Sequence, residues 1–275
     1  MCHTKNCYEI CINNNFLIPK KLWNNVEEII SKLPLKAKTG RPSLNLKRGI
    51  NGIYYLLKTG IHWKALPRCF GSTSAVHRLF QSLIQLNFFQ QLWYNKLKFY
   101  NQIHGLNLER QAIDCSHKKS PLAGCEKTGK SPVDRRKLGS KISVLSESKG
   151  VVIGLAIGSS NQHDSTLFLE TLLSVPKFLQ QPRYKEMNLD SAYDSTEVRT
   201  ILFNWSYVPK IALNQRRKSV RPPNPLGYCR WFIEPVHSWM NRFRSIYVRY
   251  CKYVRNYLGL AQFTVAINIF NKIRV

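Results

Sequence analysis

The placement of the few acidic residues constrains this chain more than any other feature. From Val198 to Val275 the sequence contains fourteen Lys and Arg but a single carboxylate, Glu234, which lies in the aromatic and basic segment YCRWFIEPVHSWMNRFRSIYVR. A carboxylate that turns inward among aromatic side chains is costly unless it finds a partner. That partner is either an arginine, with Arg230 four residues earlier as an ordinary helix ion pair, or a metal ion. The local sequence leaves both alternatives open.

The N-terminal half has no acidic residues over a long stretch. From Ile30 to Leu108 there is no Asp or Glu but there are twelve Lys and Arg, and the whole chain of 275 residues carries a net charge of +27. This excess indicates a polyanionic partner, usually nucleic acid. A ribosomal protein, a membrane-surface protein and a merely solvated basic face are the alternatives, and the length and aromatic content disfavour the first. The N-terminus is polar and no run of about 18 apolar residues occurs, so we expect neither a signal peptide nor a membrane span.

The eight cysteines are scattered and form no CxxC pair. Free thiols in a reducing cytoplasm are therefore the default expectation. Cys2, His3, Cys7 and Cys11 are residue types that bind zinc, but their spacing matches no standard zinc finger, so we do not expect a metal there.

The first 106 residues are predicted to form an all-α, helix-turn-helix-like domain that binds DNA. Two short helices joined by a glycine-containing turn support this fold, and Ser72 to Ser74 offer an N-cap for the second. Its exposed face would present Arg78. The helical segments, identified by apolar spacing, are 22–33, 46–58, 63–66 and a helix that ends at Ile84.

Residues 107–275 are predicted to form an α/β domain. Strands are expected over 108–115, 141–147, 151–158, 184–189 and 207–213, with a hairpin turn at 148–150. Helices are expected over 164–173, 195–205 and 257–270, and another contains Glu234 after a basic, proline-rich loop at 216–225.

Three carboxylates have positions that suit a metal site. Asp114 lies near the end of the first strand, Asp190 follows the fourth strand, and Glu234 lies on a late helix. In the ribonuclease-H-like fold such residues converge on one edge of the sheet. Mg²⁺ prefers oxygen ligands, and two such ions about 4 Å apart stabilise the attacking and leaving oxygens in phosphodiester chemistry. The order of elements therefore suggests a ribonuclease-H-like catalytic domain.

Other residues near these carboxylates receive structural interpretations. We expect Asp164 and Asp194 to cap helices, and Trp231 and Trp239 to lie in the core. His117 and His237 are expected to be bystanders near the site. The loop from Lys118 to Lys141, which has eight Lys and Arg and three Gly, is expected to be exposed and irregular without DNA.

Five motifs in order along the chain resemble the DDE transposases of bacterial insertion sequences, in the branch labelled insertion-sequence five. The similarity runs from about Trp23 to nearly the end of the chain. The motifs are GRPSLNLKRGINGIYYLLKTGIHWKALPRCFG, TGKSPVDRRKLGSK, SNQHDS, LDSAYDS and RWFIEPVHSWMNRFRSIYVRY. Each motif is weak alone, but five in this order are specific.

The resemblance implies a transposase that binds terminal inverted repeats and target DNA and catalyses metal-dependent strand cleavage and strand transfer. It implies Asp114, Asp190 and Glu234 as the catalytic triad and as the ligands of two Mg²⁺ ions, with Mn²⁺ able to substitute. A homo-oligomer on DNA, no membrane, and a bacterial cytoplasmic, nucleoid-associated location are also implied. An inactive or domesticated DNA-binding relative and a ribonuclease-H-like nuclease without strand transfer are the alternatives. The residues predicted to contact DNA are Arg230, Arg242, Arg244, Arg135, Arg136, Lys137, Lys141 and Arg78.

Overall fold

The structure, a computed structural model, describes residues 12–34, 44–180, 185–212 and 225–273. The four N-terminal residues considered for zinc, the Gly-Arg-Pro block at 40–42 and most of the loop at 216–225 lie outside the described residues. No helix in the described part of the chain combines the length and apolar character that a membrane span requires.

The region before residue 105 is helical, and its helices begin and end where the sequence supplies caps. The side chain of Asn45 accepts a hydrogen bond from the Arg48 backbone N–H at 3.1 Å, and Ser72 accepts one from Ala75 at 3.3 Å. Gly60 ends the second helix in the left-handed conformation, with φ at 69°, which glycine adopts without the strain of a side chain. The α-helices are α1 (Lys20–Ser31), α2 (Leu46–Thr59), α3 (Thr73–Gln85) and α4 (Phe88–His104).

Helix α4 was not among the helices predicted individually. Its buried face packs on the last helix and reaches the sheet, where the Trp93 indole N–H donates to the Val152 carbonyl at 3.2 Å. The N-terminal helices and the sheet thus contribute to one hydrophobic cluster that extends from Leu17 to Phe270. The domain boundary between residues 106 and 107 stays a prediction.

The sheet begins with three antiparallel strands and continues with two strands parallel to the first. Strand β3 pairs antiparallel with both β1 and β4, whereas β5 pairs parallel with β1, and β6 parallel with β5. A short strand, β2, extends β3 at its beginning. The spatial order β4-β3-β1-β5-β6 is that of a ribonuclease-H-like sheet, so the predicted fold class is confirmed. The strands are β1 (Arg110–Lys119), β2 (Gly129–Lys130), β3 (Leu138–Glu147), β4 (Val152–Ser159), β5 (Lys185–Leu189) and β6 (Tyr207–Ile211).

Helices cover the sheet and close the chain. The last helix is buried on nearly every side because it lies between α4 and the sheet. The helices of this part are α5 (Phe168–Leu173), α6 (Thr196–Asn204), α7 (Glu234–Asn241), α8 (Arg244–Tyr247) and α9 (Val254–Ile273).

The segment predicted as an irregular basic loop is more ordered than expected. Strand β1 continues to Lys119, and β2 pairs with the start of β3. The buried residue Arg249 also holds this segment. Its guanidinium donates to the Ser140 hydroxyl at 2.7 Å, and its backbone N–H donates to the Lys119 carbonyl at 2.7 Å. The prediction of an irregular loop was therefore wrong for its two ends, which pair as strands.

Candidate active site

Asp114 and Asp190 lie side by side at one edge of the sheet. In the parallel register Ala112 is opposite Asn188, so two further residues along each strand bring Asp114 level with Asp190. Asp190 directly follows β5, and its carboxylate accepts the Ser191 backbone N–H at 2.6 Å. The pairing of two parallel strands therefore brings together two of the carboxylates that the sequence singled out.

Arg230 bridges the two carboxylates. One guanidinium nitrogen, Nη2, lies 2.9 Å from Asp114 Oδ1, and the other, Nη1, lies 3.3 Å from Asp190 Oδ2. Burial raises the pKa of Asp114 above its usual value, although the Arg230 charge opposes the rise. Burial alone would lower the pKa of Arg230, but the Asp114 carboxylate and the Tyr228 phenol outweigh it, so this pKa lies above its ordinary value. Both carboxylates thus face one shared positive charge.

The arrangement fits a divalent cation in chemical terms. Two carboxylates already converge on a single cationic group, and carboxylate oxygens are the ligands that Mg²⁺ and Mn²⁺ prefer. In the described part of the chain, no three His, Cys, Asp or Glu side chains are grouped closely enough to hold a metal. The fit therefore rests on the pair Asp114 and Asp190. A metal would compete with Arg230 for these two carboxylates.

Glu234 begins α7 and is exposed. None of the residues that the structure describes makes an ion pair with it. The helix ion pair with Arg230 does not form because α7 starts at Glu234, which leaves Arg230 before the helix and bound to the two aspartates. Residues three and seven positions after Glu234, His237 and Asn241, lie on the same stripe of α7.

That stripe of α7 faces β1. His237 Nε2 lies 3.8 Å from Asp114 Oδ2, and Asn241 Oδ1 accepts a hydrogen bond of 2.6 Å from Lys118 Nζ. Asp114 and Lys118 point to one face of β1, because side chains alternate along a strand. The helix that carries Glu234 therefore covers the face to which Asp114 points.

His237, beside Asp114, and Lys118, further along the same face of β1, are buried ionisable groups. Burial, aided by the Lys118 charge, lowers the pKa of His237 to about 3, so the imidazole is neutral. Neither of its ring nitrogens has a hydrogen-bond partner of good geometry among the described residues, although the Asp114 backbone lies close enough to oppose part of the fall in pKa. Burial also lowers the pKa of Lys118 to about 8. The sequence interpretation places His237 near the site as a bystander; the structure agrees with the location, since His237 Nε2 lies 3.8 Å from Asp114 Oδ2.

The residues predicted to contact DNA differ in exposure. Arg135 and Arg136 are exposed at the tip of the β2–β3 hairpin, with φ at 46° and 59°, and the neighbouring Lys137 is exposed as well. Lys141, by contrast, is buried: its ammonium group lies 2.6 Å from Asp164 Oδ1 and donates to the Gln162 carbonyl. Direct contact between Lys141 and DNA therefore does not agree with this structure. The other exposed members of the set are Arg78, Arg242 and Arg244.

Two of the predicted helix caps are wrong. Asp164 pairs with Lys141, and the adjacent His163 caps the turn by accepting the Ser165 N–H. Asp194 binds Arg199 at 2.7 Å, and Ser195 supplies the cap of α6.

The tryptophan beside Arg230 was also misplaced. Trp231 is 71 % exposed because it precedes α7 and so has no helix face to direct it inward. Trp239 is half-buried, with the Lys272 ammonium group 4.3 Å from the centre of its ring. His117 belongs to the opposite face of β1 from Asp114, where its ring lies 3.2 Å from the Ser160 hydroxyl.

Comparisons with known proteins place this chain in a family. Residues 112–269 match the model described as "Transposase DDE domain", and residues 18–93 match "Putative transposase of IS4/5 family". Because the first match covers more than half of the chain, the chain belongs to the transposase DDE domain family, and the predicted family is confirmed. The second match falls on the helical region that precedes the DDE domain match.

One curated relative and several solved structures are similar to the chain. The relative is the "Putative transposase for insertion sequence element IS402" from Burkholderia cepacia, 29 % identical over 134 residues, which are 46 % of this chain and 61 % of that protein. The chain thus matches about three fifths of the length of this relative. A piggyBac transposase synaptic complex with hairpin DNA has a TM-score of 0.39 at 11 % identity, over 95 % of this chain and 75 % of that one. A pre-cleavage Mos1 transpososome has a TM-score of 0.29 at 10 % identity, over 90 % and 84 %.

Proposed function

We propose that this protein is a DNA transposase that binds terminal inverted repeats and catalyses metal-dependent cleavage and transfer of DNA strands. The observation that carries the proposal is the pair Asp114 and Asp190, held around one positive charge at the edge of a ribonuclease-H-like sheet. Membership of the DDE domain family supports the same activity.

Asp114, Asp190 and Glu234 are the catalytic carboxylates in this proposal. Glu234 is supported by the stripe of α7 that it shares with His237 and Asn241, because both of these residues reach side chains of β1. Its exposure at the first turn of α7 leaves its carboxylate free to approach a cation bound beside Asp114. A carboxylate at a helix N-terminus is also stabilised by the helix dipole.

The three carboxylates would hold two divalent cations, Mg²⁺ or Mn²⁺. When bound, such ions polarise the scissile phosphate and stabilise the attacking and leaving oxygens. The Arg230 charge offsets the repulsion between Asp114 and Asp190. Once displaced by a metal, the guanidinium would be positioned to bind a phosphate near them. Arg242 and Arg244, exposed after α7, would extend this basic surface along the DNA.

Double-stranded DNA is the proposed partner, both as terminal repeats and as target. The acid-free helical region up to residue 106 would supply the repeat-binding domain, with Arg78 on the exposed face of α3. The tip of the β2–β3 hairpin, with Arg135 and Arg136, would contact phosphates near the carboxylates. We further propose that the protein acts as a homo-oligomer on DNA, since two transposon ends must be joined in one event.

The test is a cleavage and joining assay on DNA that carries the sequences flanking the gene, with Mg²⁺ present. Metal sites of this kind contribute several kcal/mol to the transition state, so Asp114→Asn and Asp190→Asn should each lower the cleavage rate by at least about 100-fold. Asp194→Asn is the matched control, because Asp194 lies in the same segment but pairs with Arg199, and it should retain activity.

The other functional classes give different results in the same assay. Cleavage without joining would indicate a nuclease, and repeat binding without cleavage would indicate a DNA-binding relative. Full cleavage by Asp114→Asn would contradict the proposed active site.

A further inference from the structure

The two carboxylate oxygens of Asp114 have different neighbours. Oδ1 lies against the Arg230 guanidinium at 2.9 Å, whereas Oδ2 faces the His237 imidazole at 3.8 Å. The first neighbour is a cation that satisfies the oxygen. The second is a neutral ring that, in this geometry, makes no hydrogen bond to any described residue.

His237 is therefore a buried polar group whose cost needs an explanation. Its exposed fraction is 8 %, and both ring nitrogens are shielded from solvent without a partner. An unsatisfied buried donor or acceptor costs about 1–3 kcal/mol, and in natural proteins such a group reflects local strain, a catalytic role, or a water or ion that it binds. A phenylalanine would fill this space without the penalty.

The geometry points to His237 Nε2 as a nitrogen ligand for a divalent cation shared with Asp114 Oδ2; this inference rests on the proposed metal-dependent function and adds a ligand to its site. Metal–nitrogen and metal–oxygen bonds are each about 2.1 Å long. Two donors 3.8 Å apart can therefore both reach one ion. The position on α7 agrees, because His237 lies one helical turn after Glu234 on the stripe that faces β1.

A nitrogen ligand has a consequence for metal preference. Mg²⁺ takes oxygen ligands almost alone, whereas imidazole suits transition metals. A site that contains only carboxylates would discriminate weakly between Mg²⁺ and Mn²⁺. A site that includes His237 should favour Mn²⁺ because its imidazole nitrogen contributes to that complex.

The test uses the full-length protein and Mn²⁺ alone, without DNA. Pulsed electron paramagnetic resonance of bound Mn²⁺ should show the strong ¹⁴N coupling of a directly bound imidazole, and labelling with ¹⁵N-histidine should replace it by the ¹⁵N pattern. These two measurements need no variant, so they hold even if a substitution at this buried position impairs folding.

Variants then assign the signal to one residue. His237→Phe should abolish the nitrogen coupling and weaken Mn²⁺ binding on the order of 10-fold, with a smaller effect on Mg²⁺. His117→Gln is the matched control: His117 lies on the same strand as Asp114 but on the opposite face, and its replacement should leave coupling and affinity unchanged.

The remaining outcomes distinguish the role of His237 as a ligand from the role of the catalytic carboxylates. Bound Mn²⁺ without nitrogen coupling would overturn the role of His237 and leave the carboxylate site intact. Nitrogen coupling that persists in His237→Phe would overturn it as well. A wild-type protein that binds no Mn²⁺, while Asp114→Asn abolishes cleavage, would refute the His237 ligand but not the catalytic carboxylates.

Discussion

Replacing Arg230 by glutamine should destabilise the metal-free protein, because two carboxylates would then face each other without a counter-charge. Removing one partner of a fully buried ion pair costs about 3–5 kcal/mol, whereas an exposed pair contributes about 0–1 kcal/mol. The Arg230 side chain is 16 % exposed, but those of Asp114 and Asp190 are 25 % and 51 % exposed. We therefore expect an intermediate loss of about 2 kcal/mol, or a melting temperature lower by about 6 °C.

Divalent cations should reverse this loss. In the wild-type protein a metal must displace the guanidinium before it binds both carboxylates, whereas in Arg230→Gln the carboxylates are already free of it. A difference of about 2 kcal/mol corresponds to roughly 30-fold tighter Mn²⁺ binding in the variant. Thermal unfolding with and without Mn²⁺, together with calorimetric titration, measures both quantities on the same samples.

The pH dependence of the variant follows from Asp114. Burial raises the pKa of Asp114, and the Arg230 charge restrains the rise, so the pKa should rise further in Arg230→Gln. An acid whose pKa is raised by folding binds more protons when folded, so its contribution to stability falls as the pH increases through that pKa. The deficit of the variant should therefore be largest near neutral pH and should shrink in acid.

Arg199→Gln is the control for the lead prediction, since Arg199 also binds an aspartate but its side chain is 44 % exposed. It should change the free energy of unfolding by less than about 1 kcal/mol. If Arg230→Gln were as stable as the wild type without metal and bound Mn²⁺ equally well, Arg230 would not be the counter-charge of the two carboxylates.

Three further substitutions test the packing of individual side chains. Lys96→Met should stabilise the protein by about 2 kcal/mol below pH 8, because burial lowers the pKa of Lys96 to about 8. As the pH rises from 8 towards 10.5, the unfolded wild type binds more protons than the folded one, so the wild type should regain stability and the gain of the variant should shrink. A gain that does not vary with pH in denaturant titrations would contradict this. Arg249→Met should cost roughly 3 kcal/mol in the same titrations, since it removes a fully buried guanidinium that holds Ser140, and an unchanged midpoint would show that these bonds are dispensable. Trp231→Ala should alter stability by less than about 0.5 kcal/mol, and a larger loss would mean that Trp231 is packed after all.

The sequence predicted the parts of this fold that depend on local patterns. The hairpin of β3 and β4 and the strand before Asp190 lie within a few residues of their expected positions. Hydrophobic alternation and turn residues determine these elements, and both can be counted along the chain. The adjacency of Asp114 and Asp190 then follows from the parallel pairing of β1 with β5, which the expected fold class already implied.

The contacts between distant segments could not be predicted in this way. The sequence suggested that Arg230 either pairs with Glu234 or approaches a phosphate, but it binds two aspartates that are 116 and 40 residues earlier in the chain. The cause is the position at which α7 begins: with its first residue at Glu234, neither Arg230 nor Trp231 lies on a helix face. Helix starts are uncertain by one or two residues, and that uncertainty decides where both side chains point.

The helical region is joined to the site by contacts that limit their relative motion. Ser245 Oγ, in the first turn of α8, donates to the Leu56 carbonyl of α2 at 2.7 Å. A Cβ atom at Gly60, where α2 ends, would lie 2.8 Å from Arg244 Cβ, so the two backbones approach closely. In consequence, the end of α2 is fixed to the segment that follows Glu234 and His237. If the helical region binds a terminal repeat as proposed, the DNA strand that enters the site is held at a fixed distance from Asp114. Cleavage at one defined phosphate requires such a fixed distance.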